Sequence, residues 1–324
     1  GPTLGFGEVI SEFAPAQAAV VIGTSGTTGT PKEISLSSNA LLSSARASNA
    51  FVGAKSGDTW SLLLPLTHVA AVNVFVRAFE LGTIPVDLRN HVGEYPRVDF
   101  TAIVPTQLFR ALNGDDHLLK HLQGAKSVLV GGAALSAGVR NQAIAAGIKV
   151  VTTYGMSETS GGCVYNGVPL EGVQVAISDA GFIKVSGPVL ASNLDLDAQN
   201  WFVTSDRGEL VDGHLIVLGR GDDVIISGGE NISLIEIENA ISQTFSNFEF
   251  AAFAVSSEKW GQELHIAAVN APTEFSERVE TLLVKKFGNA AKPKRFHQLS
   301  ALPLIGIGKV DRGALAQLAM KSEF

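Results

Sequence analysis

A chain of 324 residues with 46% hydrophobic content has length for a large domain plus a smaller one, and enough apolar side chains to exclude global disorder. Its net charge of −7 argues against a nucleic-acid binder that works through a broad basic face. Cys163 is the only cysteine, which excludes an internal disulfide and a cysteine-rich metal site and favours the cytoplasm. No basic flank precedes a continuous apolar run near the start, and no uninterrupted apolar run reaches the length of a membrane span, so neither a signal peptide nor stable membrane insertion is expected. Gly1-Pro2 has the look of a scar from tag removal and receives no structural meaning.

In chain order, short apolar runs at 18–22, 59–64, 100–104, 127–130 and 149–153 read as strands. The Ala/Leu-rich stretches 39–50, 106–113 and 136–146 read as helices between them. This alternation predicts an α/β domain with a mainly parallel sheet. After about residue 160 the pattern changes. Short strands over 167–218, punctuated by turn signals at 178–181, 206–208 and 212–213, predict an antiparallel β subdomain. The charged, glycine-punctuated segment 219–223 reads as a hinge. The expected division is 1–220 for a large N-terminal domain and 221–324 for a small mobile α+β domain. The latter should hold helices at 233–243 and 276–287, strands near 250–255 and 264–269, and a glycine-rich tail.

The stretch 23–32 reads GTSGTTGTPK. Gly23, Gly26 and Gly29 allow tight turning and close approach, while Thr24, Ser25, Thr27, Thr28 and Lys32 supply donors, a combination that suits a polyphosphate. The spacing is not that of a Walker A loop. The loop follows one expected strand and is taken to precede a helix, where anion loops sit; a flexible Ser/Thr/Gly linker is the alternative. Further stretches stand out: LPLTHV over 64–69, GGAA over 131–134, YGMSET over 154–159, FVTSDRGE over 202–209, SGGENI over 227–232 and PLIGIGKVDR over 303–312. Taken singly, GGAA is an ordinary strand-to-helix turn and Asp206 an ordinary turn aspartate.

Together and in this order they resemble the acyl-CoA synthetase, luciferase and peptide-synthetase adenylation superfamily over nearly the whole chain. The resemblance implies a shortened adenylate-forming fold and a two-step reaction. A small-molecule carboxylate and ATP, with Mg²⁺, would give an acyl-adenylate, and coenzyme A would then take the acyl group. It further implies that Thr24, Ser25, Gly26, Thr27, Thr28, Gly29 and Lys32 hold the ATP phosphates, and that Gly131, Gly132 and Ala133 line the adenine. Tyr154 would stack on adenine within the ATP-binding run that continues through Gly155, Met156 and Ser157, with Ser157 on phosphate. Glu158 would help hold Mg²⁺, since a hard cation takes carboxylate oxygens. Asp206 would accept from the ribose hydroxyls and Arg220 would close on the ribose.

For the small domain the resemblance places the hinge at Asp222 and the catalytic lysine at Lys309. A long ammonium there can meet both the attacking carboxylate and the α-phosphate. Gly228 and Gly229 would leave room for the pantetheine arm of coenzyme A, and His68 would gate the acyl pocket. Arg77, nine residues after His68, could pair with a second substrate carboxylate, although a solvated helix arginine is the simpler reading. Cys163 has no evident base and reads as a small buried residue, which removes a cysteine nucleophile.

Two departures from the family pattern stand out. Only 23 residues precede Thr24, fewer than members usually carry, so the pocket could be more open or a homodimer could replace the missing part. Ile226 stands where many relatives have lysine. Shortness together with the 64–68 and 219–232 stretches most resembles the branch of the family that acts on o-succinylbenzoate in menaquinone biosynthesis. Another aryl or medium-chain acyl-CoA ligase, an adenylation domain loading a carrier protein, and a non-catalytic nucleotide binder are the alternatives.

Overall fold

The computed structural model describes residues 19–24, 32–245, 248–305 and 309–321. Two compact units make up the chain, Gly1–Ala133 with Ala143–Ile216, and Ala134–Gln142 with Val217–Phe324.

The first unit opens on an antiparallel hairpin. Strand β1 (Val20–Thr24) pairs with β2 (Lys32–Leu36), and Thr24 lies opposite Lys32 in the ladder. This corrects the expected strand–loop–helix arrangement, because the candidate phosphate loop joins two strands. The reason is burial: Ile34 and Leu36 pack with Val20 and Ile22 and with Leu41, Val69 and Val72, which makes 32–36 a strand rather than a lead into a helix. Ser25, Gly26, Thr27, Thr28 and Gly29 lie outside the described residues. Helix α1 (Ser38–Phe51) starts only after Ser37, whose hydroxyl accepts from the Ala40 N–H at 3.1 Å and satisfies one orphan donor of the first turn.

The main sheet follows from β3 (Trp60–Leu62), α2 (Val69–Glu80), β4 (Val86–Asp87), β5 (Phe100–Ile103), α3 (Pro105–Leu112), α4 (Asp116–Gly124), β6 (Ser127–Val130), α5 (Ala137–Ala145), β7 (Val150–Met156), β8 (Gly161–Tyr165) and β9 (Val168–Pro169). Its order is β4-β3-β5-β6-β7-β8-β9. The pairs from β4 to β7 are parallel, and β8 and β9 turn antiparallel. Strands β3 and β5 are buried along their full length, as parallel strands covered on both faces must be. An antiparallel sheet comes next, β10 (Gln174–Ile177), β11 (Phe182–Ser186), β12 (Phe202–Val211) and β13 (His214–Arg220), in sequence order. Asp212 and Gly213 form the two-residue loop between the last two strands, with φ of 49° and 78°, the left-handed pair that a tight hairpin requires.

The second unit contains β14 (Val224–Ser227), β15 (Glu230–Ser233), α6 (Leu234–Ser242), β16 (Phe250–Ser257), β17 (Gly261–Val269), α7 (Phe275–Phe287), β18 (Arg295–Leu299), β19 (Leu304–Ile305), β20 (Lys309–Val310) and α8 (Arg312–Lys321). Its sheet runs β15-β14-β17-β16, and β18 pairs parallel to β17 off that path, over His265–Val269. Side chains alternate across β16 and β17. Ala252, Leu264 and Ile266 pack with Ile237, Ile241, Val279 and Leu283 of α6 and α7, whereas Ala251, Phe253 and Ala267 pack with Leu315 and Ala319 of α8. The expected glycine-rich tail therefore ends in a helix, formed because Leu315 and Ala319, one turn apart, cover the second face of the sheet. The division between units falls inside β13, a few residues before Arg220; there Gly219 sits against Ile235, which a Cβ would overlap. Among the described residues no helix is long and apolar enough to cross a membrane.

Candidate active site

The YGMSET stretch ends β7 and turns into β8. A bulge between Tyr154 and Gly155 shifts the register, a device that re-aims side chains beside functional sites. Residues Ser157–Thr159 form a 3₁₀ turn, and Ser160 closes it in the left-handed region at φ 52°. Gly155 is required at its position, because a Cβ there would overlap the Gly161 carbonyl and the Gly162 backbone. The turn is held from below. The Thr159 hydroxyl accepts from the Met156 N–H at 2.9 Å and donates to the Gly161 carbonyl at 2.7 Å. The Ser160 carbonyl accepts from Asn73 Nδ2 at 2.5 Å and from Ser44 Oγ at 3.1 Å. All four of these side-chain-bearing residues, Ser44, Asn73, Thr159 and Ser160, are fully buried. The Glu158 carbonyl accepts from the Ala191 N–H at 2.9 Å, which leaves the half-buried Glu158 carboxyl on a fixed backbone.

Tyr154 and Asp206, 52 residues apart, are brought together: the phenol donates to Asp206 Oδ2 at 2.9 Å. Burial, and then the negative charge of Asp206, push the Tyr154 phenol upward, so it stays a neutral donor. Gly131 and Gly132 leave β6 beside the same strand, and a Cβ on Gly131 would overlap the Thr153 side chain. Gly132 adopts φ 84°, and Ala133 is exposed. The Gly131–Gly132 turn after β6, Tyr154 on β7 and Asp206 on β12 thus lie in one neighbourhood.

Lys32 is exposed at the start of β2. That strand is tied to a segment the motif analysis does not pick out. Asn193 Oδ1 accepts from the Ser35 N–H at 2.9 Å, Asn193 Nδ2 donates to the Glu33 carbonyl at 2.8 Å, and the Ser192 N–H donates to the Ser35 carbonyl at 2.9 Å. Residues 191–193 therefore fix both β2 and the backbone of Glu158. No local signal marks them, since the partners of Ser192 and Asn193 lie about 160 residues away.

His68 occupies the N-cap position of α2 and is half-buried. Asn73 and Arg77 follow on one face of that helix, four residues apart. The solvated reading of Arg77 is wrong. The residue is 4% exposed, its Nη2 donates to the Tyr165 hydroxyl at 3.0 Å, and its guanidinium lies 5.0 Å from the centre of the Trp60 ring. The cause is the apolar face of α2, where Val69, Val72 and Val74 are buried alongside it. Cys163 is fully buried, and burial pushes its thiol up to about 12, which rules out a thiolate nucleophile.

In the second unit, Lys309 is exposed on the two-stranded ribbon of β19 and β20, opposite Ile305. The ribbon is fixed at its base. The Asp311 N–H donates to the Pro303 carbonyl at 2.8 Å. Arg312 donates to both oxygens of Glu238 at 2.9 Å, to Asp223 at 3.3 Å and to the Ala252 carbonyl at 2.9 Å. Burial raises the Glu238 carboxyl while the Arg312 charge opposes that shift. Arg220 is exposed at the end of β13, and its N–H points to Asp223 Oδ2 at 3.4 Å. Asp222 lies in the 3₁₀ turn Gly221–Asp223. Gly228 and Gly229, at φ 62° and 88°, make the β14–β15 turn, and the Gly228 N–H donates to the Trp260 carbonyl at 3.0 Å.

Comparison with known proteins fits this arrangement. The family described as AMP-binding enzyme matches residues 6–209. A probable 2-succinylbenzoate–CoA ligase from Mycobacterium tuberculosis (strain CDC 1551 / Oshkosh) is 36% identical, over 95% of this chain and 86% of that protein. A 2-succinylbenzoate–CoA ligase from Listeria monocytogenes serotype 4b is 30% identical, over 93% of this chain and 70% of that protein. Among solved structures, an arginine-to-lysine variant of E. coli MenE with bound OSB-AMS superposes with a TM-score of 0.79 at 25% identity, over 97% of this chain and 71% of that one. With the family matched across more than half of its length and a relative above 30% identity along nearly all of it, the chain belongs to the AMP-binding enzymes, the acyl-adenylate-forming superfamily.

Proposed function

We propose that the protein is an AMP-forming acid–thiol ligase whose acid is 2-succinylbenzoate and whose thiol is coenzyme A, working in the cytoplasm for menaquinone synthesis. In the first step one carboxylate of the acid attacks the α-phosphorus of ATP and pyrophosphate leaves. In the second the thiol of coenzyme A attacks the acyl carbon and AMP leaves. The relatives above carry this name, and Tyr154 hydrogen-bonded to Asp206 beside the Gly131–Gly132 turn suits a nucleoside, with an aromatic face for the base and a carboxylate for two hydroxyls. Lys32 and the loop before it take the phosphates, Ser157 adds a donor, and His68 gates the acid at the head of α2.

A lone carboxylate, Glu158, fits Mg²⁺ that arrives with the nucleotide, since among the described residues no cluster of three His, Cys, Asp or Glu could hold a resident ion. When bound, Mg²⁺ neutralises phosphate charge. Lys309 supplies positive charge as the carboxylate meets the α-phosphate. Asp222 is the hinge about which the second unit turns between steps, Arg220 closes on the ribose, and the Gly228–Gly229 turn admits the pantetheine arm.

The observation that carries the choice of acid is Arg77. It is a buried guanidinium on the helix headed by His68, and it forms no ion pair among the described residues. 2-Succinylbenzoate has two carboxylates, only one of which is activated, and Arg77 suits the other. An AMP-release assay with coenzyme A across 2-succinylbenzoate, benzoate and octanoate tests this. The highest kcat/KM is expected for 2-succinylbenzoate. Better turnover of benzoate or octanoate would replace the reading with a broader acyl-CoA ligase, and pyrophosphate exchange without consumption of coenzyme A would point to a carrier-protein acceptor.

A further inference from the structure

The surroundings of Arg77 are neutral. Its Nη2 donates to the Tyr165 hydroxyl at 3.0 Å, the Trp60 ring lies beneath it at 5.0 Å, and its own carbonyl accepts from Asn49 Nδ2 at 3.0 Å. Its Nε–H has no partner among the described residues. An arginine kept only for packing is normally neutralised by a carboxylate when it is this deeply buried. Here it is oriented but not neutralised, which preserves its attraction for an incoming anion.

Tyr165 does the orienting. It is fully buried on β8, and its hydroxyl lies 2.8 Å from Ser48 Oγ on α1 as well as accepting from Arg77. Apolar packing accounts for the ring alone, which meets the Phe51 ring edge-on at 5.3 Å; phenylalanine would serve that purpose equally. Gly162 makes room for it, since a Cβ there would press on the Tyr165 ring. The hydroxyl is needed only for the Ser48–Tyr165–Arg77 chain, in which the Ser48–Tyr165 bond fixes the phenol's hydroxyl so that a lone pair faces the guanidinium.

We propose that Tyr165, backed by Ser48, is a positioning residue that holds the Arg77 guanidinium for the second carboxylate and thereby sets the preference for an aryl dicarboxylate over the corresponding monocarboxylate. This rests on the reading of Arg77 given above. The test compares kcat/KM of the intact protein for 2-succinylbenzoate and for 4-oxo-4-phenylbutanoate, the same skeleton without the ring carboxylate. In the unaltered protein the diacid should be strongly preferred. Tyr165→Phe should reduce that ratio about ten-fold, the size expected for one lost hydrogen bond to a charged group, through the KM for the diacid rather than kcat. Ser48→Ala, a milder change, should reduce it about three-fold in the same parameter. A ratio unchanged in both variants would overturn the positioning role, as would equal losses on both acids, which is what a purely structural role produces. Absence of any diacid preference in the unaltered protein would instead remove the reading of Arg77 on which the proposal stands.

Discussion

Around Glu158 the backbone is gripped by buried groups from three directions, Thr159 within the turn, Ser44 and Asn73 beneath it, and Ala191 beside it. Lys309, by contrast, is exposed on a two-residue strand, and its fixed point is Arg312 three residues on, locked to Glu238, Asp223 and Ala252. Groups that meet a bound nucleotide gain from a rigid frame, because ordering them on binding would cost conformational entropy. A lysine that acts on charge as it develops needs reach, and a firm base under a long, exposed side chain provides it. The first region is therefore expected to govern ground-state binding and the second the rate of one chemical step.

The strongest way to break that comparison is Lys309→Ala. It should slow acyl-adenylate formation by about two orders of magnitude or more, the scale of a lost electrostatic contact in the transition state, while thioester formation from pre-made acyl-adenylate is largely kept. Single-turnover assays of the two half-reactions decide it, and equal losses in both would erase the distinction between the regions.

A smaller effect is expected from Asp206→Ala, which removes the acceptor of the Tyr154 hydroxyl and the proposed ribose contact. The KM for ATP should rise about ten-fold with kcat nearly intact, because these contacts exist in the ground state as well. Steady-state kinetics at saturating acid measure this, and an unchanged KM would detach Asp206 from nucleotide binding.

The mildest effect concerns stability and pH. In the second unit His265 and His297 are buried on β17 and β18, with 3.0 Å between His265 Nδ1 and His297 Nε2. Burial lowers both, His297 to about 4, against an ordinary value of 6.5; Glu263 opposes the shift for His265, and Arg295 adds to it for both. The folded unit thus declines protons that the unfolded chain accepts. The associated stability is fully present above about pH 6.5 and is lost as the pH falls below it, for His297 toward about 4. In the first unit the His121 ring is also lowered by burial. Hydrogen exchange on acidification should therefore show β16–β18 losing protection before β5 and β6. Simultaneous loss in both units would sink this ordering.

Much was legible in the sequence because its signals are local. The parallel run of β3, β5, β6 and β7 follows from alternating apolar runs and helical stretches, and 127–130 coincides with β6. Asp212-Gly213 marked its hairpin because only residues that tolerate positive φ fit a two-residue loop. The order of the motifs was enough to identify the superfamily. The tertiary structure decided what depends on partners distant in the chain. The loop at 25–31 connects two strands because Ile34 and Leu36 have a core to enter. Arg77 is buried because α2 turns that face inward onto Trp60 and Tyr165. Tyr154 meets Asp206 across 52 residues, and 191–193 hold β2 and Glu158 together, because hydrogen bonds between strands and loops depend on how the sheet closes, and local spacing carries no record of that.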